Sequence, residues 1–155
     1  MAELEVGNEA PQFSLPRDGG GTISLADHAG RQVVLYFYPK DDTSGCTAES
    51  IDFNRLKRDF ETAGAVVVGM SPDSVKSHDR FKRKHELDLD LASDEEKSVL
   101  QAYGVWVEKS MYGRKYTGVE RSTFLVGPDG RISRIWRKVK VPGHAEEVLE
   151  AVKAR

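Results

Sequence analysis

The chain has 155 residues, one cysteine, and 23 basic against 25 acidic side chains for a net charge of −2. That length suits one domain and can bury about two thirds of its unfolded surface. The balanced charge points away from nucleic acid and anionic membranes, and a lone cysteine has no mate for an internal disulfide or a thiolate zinc site.

No apolar run approaches membrane-spanning length. Met1 to Glu5 offer neither a basic region nor an apolar core, so no signal peptide is expected. The expectation is one domain over residues 1–155, located in the cytoplasm.

Phe13 to Leu15 and Thr22 to Leu25 are short strand candidates around Pro16-Arg17-Asp18-Gly19-Gly20-Gly21. The triple glycine lacks the Lys-Ser/Thr and following helix of a phosphate-binding loop, so it reads as a hairpin turn. Val33 to Tyr38 is an apolar, β-branched and aromatic run, the pattern of a fully buried strand. Pro39 ends it, having no backbone donor for a ladder. Beyond Cys46, Phe53, Leu56, Phe60 and Ala63 recur at helical spacing, and Gly64 suits the C-cap. Cys46 therefore falls in or near the first turn of a helix. Free backbone N–H groups and the positive end of the dipole lie there, and both favour a thiolate. The alternative is a small buried hydrophobe, but its neighbours Thr, Ser, Gly and two Asp are turn and cap residues.

Ala65 to Met70 is a second valine-rich strand, and its separation from the first by a helix makes a right-handed βαβ unit with parallel pairing. Asp73 or Ser74 can cap a helix through about Leu87, with Val75, His78 and Phe81 facing inward. Leu87 to Leu91 alternates as a short strand, and Ser93-Asp94-Glu95-Glu96 has the form of a capping box opening a short helix. Trp106 to Gly118 mixes aromatic and basic residues. It reads as an exposed loop over the site, its rings packed on the domain in preference to forming a binding platform. Ser122 to Val126 and Ile132 to Trp136 flank the turn Gly127-Pro128-Asp129-Gly130, and a last helix carries Val148, Leu149 and Val152. His78 and His85 lie seven apart on one helix with no third ligand near them in sequence, so no metal site is expected. No cofactor motif is present.

The spacing Pro39-x-x-x-Thr43-x-x-Cys46, within the string Tyr36 to Thr47, resembles the active-site loop of the peroxiredoxins, in particular the bacterioferritin-comigratory or Q-type branch. Segments Gly7 to Leu15, Gly69 to Ser77, Arg121 to Gly130 and Val141 to Val152 are similar to the same family, so the likeness covers nearly the whole chain. The resemblance implies an α/β, thioredoxin-like fold with an N-terminal hairpin, a central mixed sheet and flanking helices. It also implies a thiol-dependent peroxidase, active in antioxidant defence on hydrogen peroxide and organic hydroperoxides, with Cys46 as the peroxidatic sulfur. Thr43 is expected to place its hydroxyl beside that sulfur, Pro39 to wall off water, and Arg121 to oppose Asp41 and Asp42 if these point inward. Glu49 either orients the arginine or favours the helix's first turn through the dipole.

Many Q-type relatives carry a resolving cysteine five residues after the first, or in the next helix. Here those places hold Ile51 and the run Phe81, Lys82, Arg83. The resemblance therefore implies a one-cysteine mechanism, with the sulfenic acid rescued by an external thiol: thioredoxin, glutaredoxin or a small molecule. A monomer is expected. A redox-sensing module or an inactive scaffold of the same fold are the rival readings, and neither requires a Thr hydroxyl and an Arg aimed at one sulfur.

Overall fold

The computed structural model describes residues 3–154. An N-terminal hairpin, β1 (Ser14–Pro16) and β2 (Thr22–Ser24), turns through Gly19, Gly20 and Gly21, all at positive φ, as the triple glycine predicts. A 3-10 turn (Leu25–His28) leads to the first central strand, β3 (Gln32–Phe37), every residue of which is buried. Next come α1 (Ser44–Arg55), α2 (Lys57–Thr62), β4 (Ala65–Ser71), α3 (Val75–His85), β5 (Asp90–Ser93) and α4 (Ser98–Ala102). The chain closes with β6 (Trp106–Met111), β7 (Arg114–Val119), β8 (Ser122–Val126), β9 (Ile132–Trp136) and α5 (His144–Lys153).

Five strands form one mixed sheet in the order β5-β4-β3-β8-β9. β3 runs parallel to β4 and antiparallel to β8, which places it at the centre and explains its continuous apolar sequence. Alternate residues of β3 feed two cores. Val33, Leu35 and Phe37 pack with Leu100, Tyr103 and Phe124 on one face, where the N-terminal segment and α4 lie. Val34, Tyr36 and Tyr38 pack with Phe53, Phe60, Phe81 and Val148 on the other, beneath α1, α2, α3 and α5. This is the thioredoxin-like arrangement that the sequence implies.

Four local expectations are corrected. The helix after Cys46 is two helices, broken at Leu56, whose ψ of 4° leaves the helical range; the break lets Phe53 and Phe60 both bury completely. The strand expected over Leu87 to Leu91 begins only at Asp90. α3 ends on Glu86 in the left-handed region, and the chain spends 87–89 returning to the sheet, with Leu87 and Leu89 still reaching the core. Ser93 opens no capping box. It ends β5, its hydroxyl has no partner among the described residues, and Asp94 accepts the Leu100 N–H at 2.8 Å instead. Trp106 to Gly118 is not a loop but the β6–β7 hairpin, turning through Tyr112 and Gly113, both at positive φ. Such a turn matches the twist of paired strands. Because both strands are largely exposed, they lack the apolar alternation by which strands are read.

Gly69 fixes how closely β4 approaches its neighbours. It pairs with Tyr36 in the ladder, and a Cβ there would lie 2.7 Å from the Tyr36 ring and 2.8 Å from Leu91. Gly69→Ala should therefore destabilise the chain by about 1–3 kcal/mol, seen as a lower denaturant midpoint. An unchanged midpoint would show that the Tyr36 layer can shift.

Candidate active site

Cys46 is the third residue of α1, following Thr43 at the N-cap, and is 1% exposed. β3 and Pro39 deliver the chain to this point, and Pro39 is half-buried at the edge of the loop. Arg121, the residue immediately before β8, donates from one terminal nitrogen to Cys46 Sγ at 3.3 Å. Its other terminal nitrogen donates to Glu49 Oε1 at 2.6 Å. Glu49 lies nearly one helical turn beyond Cys46 and is 1% exposed, and its second carboxylate oxygen is buried without a partner among the described residues. The Arg121 backbone is tied in turn, its carbonyl accepting the Val139 N–H at 3.0 Å.

Gly45 makes room for this contact. A Cβ at that position would stand 3.2 Å from the Arg121 guanidinium. Nothing in the sequence singles out Gly45, because its φ is ordinary and the need for a bare backbone arises only from Arg121 across the site. Thr43 and Pro39 are brought to the same loop, but the Thr43 hydroxyl donates to the Lys40 carbonyl at 2.8 Å and makes no hydrogen bond to Cys46. Its lone pairs remain open on an exposed surface.

The two aspartates turn away from the sulfur. Asp41 is buried, accepting from the Tyr38 hydroxyl at 2.6 Å and the Ser77 hydroxyl at 2.8 Å, and it contacts His78 Nδ1 at 2.7 Å. Asp42, at φ 63°, pairs with Lys84 at 2.7 Å and His85 at 2.8 Å. Both carboxylates thus pin the loop to α3, and the charge that opposes Arg121 is Glu49. Asp73 also joins this cluster, accepting from the Asp41 N–H and the Ser71 hydroxyl. Donor atoms of Asp41, Asp73 and His78 lie within 4.8 Å of one another, so a third group does stand beside His78. The atoms of this trio are engaged in the hydrogen bonds just described.

Burial pushes the Glu49 carboxyl up to about 7, against the pull of Arg121. Burial likewise pushes His144, which meets the Thr123 hydroxyl at 2.8 Å, down to about 4; Glu147 opposes that shift and Arg121 adds to it. Lys109 on β6 is held below its ordinary value by burial and by Arg121, while Glu120 and Cys46 pull the other way. The β6–β7 hairpin therefore brings a second cation into electrostatic range of the sulfur. Sequence reasoning placed Lys109 only in a loop over the site and gave His144 no role.

These two shifts make opposed pH dependences. The folded chain keeps a proton on Glu49 that the unfolded chain has released, so Glu49 lowers stability as pH rises from about 4.5 to about 7. The folded chain refuses a proton on His144 that the unfolded chain accepts, so that stability is present above about 6.5 and is lost as pH falls towards about 4. Glu49→Gln should therefore lose stability on acidification across the shared range, and His144→Asn should gain it, each by about 1–3 kcal/mol. Denaturant midpoints measured at several pH values check this, and parallel pH profiles in the two variants would contradict it.

The profile of the AhpC/TSA family matches residues 6–135. Peroxiredoxin Bcp of Bacillus subtilis is 45% identical over 150 residues, covering 97% of this chain and 96% of the relative. A structure of Xylella fastidiosa PrxQ superposes with a TM-score of 0.94 at 44% identity, covering 99% of this chain and 98% of that one. The Xanthomonas campestris bacterioferritin comigratory protein, in a structure concerned with its alkyl peroxide reduction activity, gives a TM-score of 0.88 at 49% identity over 92% of this chain and 90% of its own. No helix among the described residues is long and apolar enough to cross a membrane. The chain belongs to the AhpC/TSA family, in its Bcp or Q-type peroxiredoxin branch, and is a thiol-dependent peroxidase.

Proposed function

We propose that Cys46 reduces hydrogen peroxide and organic hydroperoxides by a one-cysteine mechanism. The observation that carries this reading is the 3.3 Å contact from Arg121 to the Sγ of a chain with no second thiol. The thiolate sulfur attacks one peroxide oxygen and the O–O bond breaks. Sulfur keeps that oxygen as a sulfenic acid, and the departing hydroxide or alkoxide takes up a proton and leaves as water or an alcohol.

Arg121 donates to the reacting atoms in a planar fork and stays charged throughout. Glu49 holds the arginine in that orientation. The Thr43 hydroxyl, donating to the Lys40 carbonyl, accepts from the incoming hydroperoxide. Pro39 screens the sulfur from bulk water.

The sulfenic acid then condenses with an external thiol, releasing water and leaving a mixed disulfide that a second thiol reduces. Ile51 stands exposed on α1 and Phe81 buried on α3, so neither place supplies an internal thiol. Thioredoxin, glutaredoxin or a small thiol can serve. Every side chain in this scheme comes from one chain, which supports action as a monomer. Dependence on an outside thiol supports a reducing compartment such as the cytoplasm.

One equivalent of peroxide should add about one oxygen to the intact mass and create a dimedone-reactive site, both lost in Cys46→Ser. Excess peroxide should carry the sulfur on to the sulfinic form. Thr43→Val and Arg121→Met should each slow the oxidation by about 10²–10³-fold in stopped-flow mixing while leaving the fold intact. An unmodified Cys46 after stoichiometric peroxide would remove the peroxidase reading.

A further inference from the structure

A pocket of about 460 Å³ lies between the segment that leaves β9, residues 136–140, and the start of α5 at Gly143, His144 and Glu147. The peroxidase chemistry makes no use of it. Three cations line it, Arg137, Lys138 and Lys140, and none makes an ion pair among the described residues. Its one acid is already engaged, because the Glu147 carboxylate accepts from the Trp136 indole N–H and pairs with Arg134 at 3.8 Å. The charge left facing the pocket is positive.

Packing accounts for Arg137, which is half-buried with its guanidinium 5.6 Å from the centre of the Phe124 ring. Lys138 and Lys140 are exposed, and two exposed lysines alone would be a solvated surface. The opposite wall adds donors of a different kind. α5 is 10 residues long and starts after Gly143, which has no side chain to cap it. The first-turn N–H groups of such a helix lack intrahelical acceptors and carry the positive end of its dipole.

His144, the first residue of α5, is only 7% exposed. Its Nε2 meets the Thr123 hydroxyl at 2.8 Å, and its Nδ1 makes no hydrogen bond among the described residues. Burial keeps this ring neutral at about pH 7. With the Thr123 hydroxyl donating to Nε2, the ring's single proton sits on Nδ1. A buried ring in the pocket wall thus carries a donor with no acceptor, beside an uncapped helix start and two unpaired lysines. Such an arrangement suits an anion with several oxygens.

We propose that this pocket binds a small phosphate-bearing anion. The phosphate sits at the start of α5, accepts from the His144 ring and the first-turn N–H groups, and pairs with Lys138 and Lys140. Three terminal oxygens let a phosphate meet donors from both walls at once, which a carboxylate does less well. The volume leaves room for the small organic group that carries it. The site lies behind Arg121: the Val139 N–H between the two lysines donates to the Arg121 carbonyl at 3.0 Å, and Thr123, the partner of His144, stands two residues further along.

The test titrates ¹⁵N-labelled reduced protein with glycerol 3-phosphate at about pH 7 and constant ionic strength, with glycerol as the uncharged control. The backbone amides of residues 137–147, Val139 among them, and the Trp136 indole N–H should shift along one saturating curve, and glycerol should move none of them. Lys138→Glu/Lys140→Glu should weaken binding by about tenfold or more, with Lys138→Gln/Lys140→Gln in between. His144→Phe, which keeps a ring but loses the donor, should also weaken it, and the dispersion of its spectrum checks that it folds. Lys76→Glu/Lys153→Glu makes the same change in net charge at exposed positions on α3 and at the far end of α5, and should leave affinity within about twofold. Shifts that never saturate, that spread over every basic surface, or that weaken equally in the Lys138/Lys140 and Lys76/Lys153 variants would overturn the inference.

Discussion

The Arg121 guanidinium stands between two groups that would repel once ionised, the Cys46 sulfur and the Glu49 carboxylate, and donates to both. The pairing spans 75 residues of sequence, and other features of the site follow from it. A Cβ at Gly45 would crowd the guanidinium at 3.2 Å, and the Val139 N–H donates to the arginine's carbonyl. β8, paired with β3 across the sheet, fixes where Arg121 begins relative to the start of α1. Arg121 divides its two terminal donors between the sulfur and Glu49, and Lys109 on the β6–β7 hairpin lies in electrostatic range of the same site.

Burial decides how the pieces behave. Glu49 in water would be an ordinary carboxylate; enclosed beside the arginine, with one oxygen unpartnered, it is held near neutrality. His144 shows the same physics with opposite sign, losing its proton to burial behind Thr123. These groups titrate in opposed directions, which flattens the dependence of stability on pH across the range where carboxylates and histidines usually shape it.

A second network, separate from the sulfur, fixes the loop that carries it. Asp41 and Asp42 follow Pro39 and Lys40, and both reach across to α3, the first through His78 and Ser77, the second through Lys84 and His85. A buried network is worth having only when its members are satisfied. Here the Asp41 carboxylate takes three partners, and His78 Nε2 also meets the Ala92 carbonyl at 3.0 Å. The left-handed backbone at Asp42 is retained because these contacts hold it. The loop's separation from α3 is set by the same contacts.

By itself the sequence determined the buried strand at Val33 to Tyr38, the helix start at Cys46, the parallel βαβ unit and the closing hairpin and helix. Each is written in local periodicity and in residues whose backbone preferences leave few options. The run Pro39, Thr43, Cys46 was legible for the same reason, being local. Only the tertiary structure decided which charge opposes Arg121, because the aspartates' orientation depends on α3, a separate element brought alongside by the sheet. It also decided that Trp106 to Gly118 pairs as strands, since an exposed hairpin buries too little to leave an apolar pattern. The role of Gly45 was invisible beforehand: a missing side chain has meaning only when something distant needs the space.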